Sequence, residues 1–135
     1  MNILFFLTPK SDIAFIEAEA TLRQALEKLE NSGFTALPIL NKEGKYMGTI
    51  TEGDMLWYIK NQTDLSVQEA EEIPLARVKR RRDNQAVSIS ENINGLWDKV
   101  INQNFVPVTD DEDTFIGIVT RKDIMLHLKK KFLDK

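Results

Sequence analysis

The chain has 135 residues, of which 42% are hydrophobic and 29% charged, and its formal net charge is −3. This length suits one compact domain or two small lobes, and the charge gives no reason to expect general nucleic-acid or membrane binding. The chain has no cysteine and a single histidine, His127, which excludes disulfides, thiolate catalysis and multi-histidine metal sites. We therefore expect no bound metal.

The N-terminal segment, Met1 to Leu7, is apolar but too short to cross a bilayer. It lacks the basic flank and the small-residue cleavage site of a signal peptide. We expect a cytoplasmic protein whose first residues pack on the domain.

Each half of the chain contains a helix with a predicted cap. Thr21 and Gln24 have the spacing of a capping box, and Asn92 precedes the matching helix of the second half; apolar residues at helical spacing follow both caps. Each helix is followed by a turn and two apolar runs that suit a β-hairpin, then by a second helix. Pro38 and Pro107 lie in the first runs and indicate an edge strand or an irregular one. Each half therefore predicts the order β-α-β-β-α.

These patterns predict an α/β (α+β) fold with two pseudo-symmetric lobes. We expect the first lobe to span residues 1–61 and the second lobe residues 75–135. The polar and acidic residues 62–74 between them are predicted to connect the lobes.

A Gly-x-x-Thr-x-x-Asp motif follows each predicted hairpin, with Thr51 and Asp54 in the first half and Thr120 and Asp123 in the second. A Thr hydroxyl at a helix start suits a ligand oxygen, and an Asp carboxylate suits the vicinal hydroxyls of a ribose. The motif glycines remove a side chain where a flat base could approach the backbone. The same spacing also suits a helix cap, and the two roles are compatible.

The segments around the two motifs resemble the signatures of cystathionine β-synthase (CBS) domains. The resemblance rests on Leu37-Pro-Ile-Leu40 with Gly48 to Asp54, and on Val106-Pro-Val108 with Gly117 to Asp123. It covers about residues 7 to 128 as a tandem pair without an attached catalytic domain. The resemblance implies a Bateman module, in which two lobes join through their sheets and offer up to two clefts for adenosine-containing ligands.

The resemblance also implies roles for individual residues. The threonine and aspartate of each motif would hold the ribose and phosphates, and the base would lie near Ala14 in the first lobe and Ala86 in the second. The second motif carries Arg121 and Lys122 between threonine and aspartate, whereas the first carries Glu52 and Gly53. Because cations favour anionic ligands, we expect the second site to bind nucleotide phosphates better, although simple surface charge explains the same two cations. The predicted nucleotide-binding residues are Ala14, Pro38, Thr51, Asp54, Ala86, Pro107, Thr120, Arg121, Lys122 and Asp123.

The densest basic run, Arg77 to Arg82, precedes the first strand of the second lobe. It indicates phosphate capture at the mouth of a cleft, a solvated loop or a patch that docks a partner. Nucleic-acid binding is the weaker interpretation, because no helix-turn-helix or stacking aromatic module accompanies the run.

The leading hypothesis is a non-enzymatic regulatory module that binds an adenosine-containing nucleotide and signals through its own dimer or through an effector protein. No residue set combines a nucleophile, a base and an oxyanion site, so an enzyme such as a nucleotide hydrolase is not favoured. We expect a homodimer without an obligatory cofactor. The ligand stays open between AMP, ADP, ATP and cyclic di-AMP; the basic pair Arg121 and Lys122 resembles that of stand-alone bacterial CBS proteins that bind cyclic di-AMP. The alternative is a protein-interaction module with degenerate clefts.

Overall fold

The computed structural model describes residues 2–62 and 67–133. The strands in chain order are β1 (Thr8–Pro9), β2 (Ile16–Glu17), β3 (Ala36–Leu40), β4 (Tyr46–Thr51), β5 (Val87–Ser88), β6 (Phe105–Thr109) and β7 (Phe115–Thr120). The α-helices are α1 (Leu22–Ser32), α2 (Glu52–Lys60), α3 (Val67–Glu72), α4 (Ile93–Asn102) and α5 (Arg121–Leu133). The predicted order β-α-β-β-α is confirmed in both halves, as β2-α1-β3-β4-α2 and β5-α4-β6-β7-α5.

The chain forms two compact units, which we call the first-repeat unit (Ala14–Asp83) and the second-repeat unit (Met1–Ile13 with Asn84–Lys135). The N-terminal residues belong to the second-repeat unit because β1 pairs antiparallel with β7. Leu75 and Val78 belong to the first-repeat unit because both are buried in its core. The predicted limits of the two lobes, 1–61 and 75–135, and of the connecting segment, 62–74, stay a prediction. The two compact units have different limits from these.

The first-repeat unit contains a three-stranded sheet in the order β2-β3-β4. Strand β3 pairs parallel with β2 and antiparallel with β4. Thr21 caps the start of helix α1, and its predicted capping box with Gln24 is confirmed. Gly33 caps the end of the helix in a left-handed conformation. The core residues come from all the main elements and include Leu22, Ala25, Leu37, Ile50 and Met55.

The second-repeat unit contains a four-stranded sheet in the order β1-β7-β6-β5. The predicted cap of α4 is confirmed, because the Asn92 side chain accepts a hydrogen bond from the Asn94 N–H. A 3₁₀ turn at Ile3–Phe6 inserts Ile3 and Phe6 into the same core as Leu96 and Val119. The N-terminal segment therefore packs on the protein as predicted.

Pro38 and Pro107 lie in inner strands, so the edge-strand interpretation of both prolines is wrong. The short strands β2 and β5 pair only with Ile39–Leu40 of β3 and with Val108–Thr109 of β6. Each proline therefore lies where its strand has only the hairpin partner beside it, and a missing N–H is tolerated there. The alternative of an irregular strand is confirmed, because the register shifts between Ile39 and Leu40 in β3 and between Val108 and Thr109 in β6.

None of the helices in the described residues has the length and apolar character needed to cross a membrane.

Candidate functional site

Both repeated motifs cap a helix. Thr51 Oγ1 accepts a hydrogen bond from the Asp54 N–H at 3.0 Å at the start of α2. Thr120 Oγ1 accepts one from the Asp123 N–H at 3.1 Å at the start of α5. The capping role is thus present in both copies, and the carboxylates decide which copy retains acceptors for a ligand.

Asp54 is buried, with 3% of its surface exposed. Its Oδ2 accepts a hydrogen bond from the Thr51 N–H at 3.0 Å, which completes a capping box, and its Oδ1 accepts one from the Arg81 N–H at 3.1 Å. Each oxygen of this carboxylate therefore already binds a backbone donor. Burial and these two bonds leave Asp54 poorly placed to receive a ribose.

Asp123 is only partly buried and keeps acceptor capacity. Its Oδ2 accepts a hydrogen bond from the Thr8 hydroxyl at 3.3 Å. Within the described residues no backbone N–H donates to this carboxylate, unlike the carboxylate of Asp54. A long contact with one hydroxyl is readily exchanged for a ligand hydroxyl.

The space beside Gly48 is occupied by the side chains of Arg80 and Asp83. A Cβ added at Gly48 would come within 2.6 Å of Asp83 Oδ1 and 2.8 Å of Arg80 Nε. Arg80 and Asp83 bind each other with an Nε to Oδ1 distance of 2.7 Å, and the Thr49 N–H donates to Asp83 Oδ1 at 3.0 Å. In this structure the place beside Gly48 is therefore filled by two side chains, and the approach of a base to this glycine stays a prediction.

The ion pair shifts both pKa values in the direction of the charged forms. The hydrogen bond with Asp83 raises the pKa of Arg80 against the effect of burial. Burial alone would raise the pKa of Asp83, but hydrogen bonds from Arg80 and from the Thr49 N–H outweigh burial and lower it. Because the folded-state pKa of Asp83 is depressed, its contribution to stability is lost as pH falls through that pKa.

Gly117 is covered by backbone. A Cβ there would collide with the carbonyl oxygen of Thr8 and would lie 3.0 Å from Pro9 Cα and 2.9 Å from Leu7 Cδ1. The glycine is needed for the close approach of β1 to β7, so the expected room for a base is filled here too.

Arg121 binds the C-terminal end of α4. Its Nε donates to the Val100 carbonyl at 2.8 Å, Nη2 to the Ile101 carbonyl at 3.3 Å, and Nη1 to Asn104 Oδ1 at 3.2 Å. A guanidinium at this place satisfies carbonyls that have no partner within the helix. The placement explains this cation by helix capping, and the phosphate contact expected from Arg121 stays a prediction.

Replacing Arg121 with alanine is expected to lower the free energy of unfolding by about 1–2 kcal/mol, because two carbonyls at the end of α4 lose a charged donor. The same change should leave nucleotide affinity within about twofold of the parent, since the guanidinium faces α4. Urea denaturation and calorimetric titration measure the two effects. Lys122→Ala, an exposed neighbour on α5, is the control for stability; a large loss of affinity in Arg121→Ala alone would contradict this placement.

The other predicted residues take two kinds of position. Lys122 is exposed on α5 and borders a shallow groove that also includes Met125 and Lys129. Ala14 packs against the first core, and Ala86 directly precedes β5. The prolines are buried: Pro38 pairs with Thr49, and Pro107 pairs with Ile118.

Three residues of the two sites escaped the sequence patterns. Thr8 lies 115 positions from Asp123, and no motif spacing connects them. Arg80 was noticed only as part of a basic run, and Asp83, which follows the run, was not singled out. Arg80 and Asp83 lie at Gly48 because of the path of the chain in space, which no local spacing encodes.

A family model described as "CBS domain" matches residues 6–61 and 63–130. The chain belongs to the CBS domain family. The resemblance seen in the sequence and the predicted fold class are thereby confirmed, with two CBS domains in tandem.

Known relatives include both stand-alone and larger proteins. Over 125 residues the chain is 27% identical to "Cyclic di-AMP receptor B" of Bacillus subtilis (strain 168), a match that covers 93% of this chain and 84% of the relative. The crystal structure of "CbpB in complex with c-di-AMP" superposes with a TM-score of 0.84 at 26% identity and covers 99% of this chain and 88% of that one. A 26% identical match to the "A-adding tRNA nucleotidyltransferase" of Aquifex aeolicus (strain VF5) covers 85% of this chain but 13% of the enzyme.

Proposed function

We propose that this chain is a regulatory module that binds an adenosine-containing nucleotide at the second motif. The observation that carries the proposal is the Asp123 carboxylate, which is partly exposed at the start of α5 and bound by one side-chain hydroxyl at 3.3 Å. Family membership and the named ligand of the relatives support the nucleotide class.

Different groups around Asp123 suit different parts of a nucleotide. The carboxylate accepts hydrogen bonds from ribose hydroxyls, the Thr120 hydroxyl lies beside it, and the Thr8 hydroxyl competes with the ligand for Oδ2. The start of the 13-residue helix α5 and the exposed Lys122 favour the phosphates. Ala86 at the start of β5 stays the predicted neighbour of the base, and Pro107 is part of the strand behind the site. Arg121 is left out because it binds α4.

Cyclic di-AMP is the first candidate ligand, because it is named for the relative and for the solved structure that cover most of this chain. Its 3′-oxygens are esterified, so it offers Asp123 single 2′-hydroxyls instead of vicinal diols. AMP, ADP and ATP offer the whole diol. The two ligand classes therefore differ in the number of hydrogen bonds that Asp123 accepts.

A thermal-shift screen with cyclic di-AMP, AMP, ADP, ATP and S-adenosylmethionine tests the proposal. A ligand at 100 times its Kd adds about 2.7 kcal/mol to the stability of the folded state and raises Tm clearly. Guanosine analogues of the best compound serve as matched controls. If no adenosine compound raises Tm, the proposal fails, and a module with degenerate clefts that docks a protein takes its place.

The regulatory role is proposed without catalysis, since the relative from Bacillus subtilis is described as a receptor; CBS domains also occur within enzymes, as the tRNA nucleotidyltransferase match illustrates. Analysis of the nucleotide after incubation checks this, because converted products would indicate an enzyme. A homodimer, an effector protein and a cytoplasmic location stay predictions. Helix α5 exposes Met125, Leu126 and Phe132 by 62%, 52% and 63%, which supports an interface on that helix.

A further inference from the structure

Asp83 presents its carboxylate to two donors that together form an anion site. Its Oδ1 accepts hydrogen bonds from the Thr49 N–H at 3.0 Å and from Arg80 Nε at 2.7 Å, and its Oδ2 accepts one from Arg80 Nη2 at 3.2 Å. A guanidinium and a backbone N–H that converge on one anion are also the donors that bind phosphate groups. The chain thus holds its own carboxylate where a phosphate would find suitable donors.

Gly48 provides the room for this ion pair. A side chain at this position would occupy the place of Asp83 Oδ1 and of the Arg80 guanidinium, both of which lie within 3.0 Å of an added Cβ. Arg80 Nη2 also contacts the Met47 carbonyl at 3.4 Å, so the guanidinium spans the strand next to the glycine. The glycine of the first motif and the anion site are parts of the same feature.

The side chains that fill the space at Gly48 are easier to move than the backbone that lies against Gly117. Arg80 and Asp83 are surface side chains, 31% and 42% exposed, and exposed ion pairs contribute about 0–1 kcal/mol. Gly117 is covered by the backbone of β1, which cannot leave without breaking its pairing with β7. Only the cover at Gly48 can move while the sheet stays intact.

We propose that Asp83 is a built-in occupant of a phosphate site in the first-repeat unit, and that a phosphate-bearing ligand binds there by replacing the Asp83 carboxylate on Thr49 and Arg80. The inference rests on the proposed function only for the adenosine part of such a ligand. Because the ligand binds only while Asp83 is displaced, its apparent affinity is that of the open site multiplied by the fraction of time for which the site is open. An exposed ion pair of this strength leaves the site open for about one sixth to one half of the time, so the apparent Kd is about two- to sixfold weaker than that of the open site.

A titration with inorganic phosphate followed by ¹H–¹⁵N NMR tests this site directly, because the Thr49 amide is itself one of the donors. In Asp83→Ala the Thr49 amide is expected to shift with an apparent Kd about two- to sixfold lower than in the parent protein. The double variant Arg80→Ala/Asp83→Ala should lose this response. Asp111→Ala removes an exposed carboxylate elsewhere and should behave as the parent. The same titration with AMP then shows whether a nucleotide binds at the same site.

Equal phosphate titrations in the parent and in Asp83→Ala would overturn the inference, as would a Thr49 response that survives loss of Arg80. Sodium chloride at matched ionic strength is the control, and an equal response to chloride also counts against the site. The same spectra report whether each variant is folded, and Asp83→Asn repeats the test with a side chain of the same size. Inorganic phosphate contains no adenosine, so a failure of nucleotide binding at Asp123 leaves this result interpretable.

Discussion

Alanine at position 123 is expected to weaken nucleotide binding by about ten- to a hundredfold, which corresponds to about 1.4–2.8 kcal/mol. The reason is that hydrogen bonds from ligand hydroxyls to a carboxylate contribute about 1.5–3 kcal/mol, and Asp123 is the carboxylate of the two motifs that has acceptor capacity left. Stability should change little, by less than about 1 kcal/mol, because within residues 2–62 and 67–133 the carboxylate accepts only the long bond from Thr8.

Isothermal titration calorimetry with the best compound of the thermal-shift screen measures this effect. Asp98→Ala is a matched control, since Asp98 is an exposed aspartate of the same unit. Thr8→Val removes the one competing hydroxyl and should leave affinity within about threefold. Unchanged affinity in Asp123→Ala would contradict the assignment of the ligand to the second motif.

Alanine at position 54 is expected to act on stability instead, and to lower the free energy of unfolding by about 2–4 kcal/mol. Two backbone donors, the N–H groups of Thr51 and Arg81, would lose their acceptor in a place where Asp54 is 3% exposed. A buried donor without a partner costs about 1–3 kcal/mol, whereas the other half of the capping box stays, because Thr51 Oγ1 still accepts the N–H of residue 54.

Urea denaturation of Asp54→Ala, with Asp123→Ala as the matched partner at the equivalent position, measures the difference between the motifs. Asp54→Asn keeps one acceptor oxygen and should fall between the parent and the alanine variant. If both alanine variants lose the same stability, the two carboxylates have equivalent roles and the asymmetry described above is wrong.

The two repeats therefore differ in a way that their shared motif conceals. In the first repeat, Asp54 secures the segment at Arg81, and Asp83 with Arg80 covers Gly48. In the second repeat, Thr8 is the only residue among those described that donates a hydrogen bond to the Asp123 carboxylate. The ranking of the second site above the first, which the sequence supported through Arg121 and Lys122, now rests on the state of the aspartates. It stays a prediction until binding is measured.

The local features of the fold were predictable because they depend on residues close in sequence. The caps at Thr21 and Asn92 and the two hairpins follow from short-range spacing and turn chemistry, and all of them are confirmed. Of the two alternatives that Pro38 indicates, the irregular strand is confirmed and the edge strand is wrong, because the extent of pairing with β2 is a long-range property. The sequence places Arg121 between a threonine and an aspartate, which suggests a phosphate contact, but it does not show that the carbonyls of α4 are its neighbours in space.

The sequence by itself determined the tandem repeat, the order of elements in each half and the position of each threonine and aspartate at a helix start, since all of these are set by spacings of a few residues. Only the tertiary structure decided which carboxylate has acceptors left, because the deciding donors come from distant parts of the chain. The Arg81 N–H that binds Asp54 is 27 positions away, and the Thr8 hydroxyl that contacts Asp123 is 115 positions away. Burial and long-range hydrogen bonds, which repeat motifs do not encode, make two equivalent sequences into two different sites.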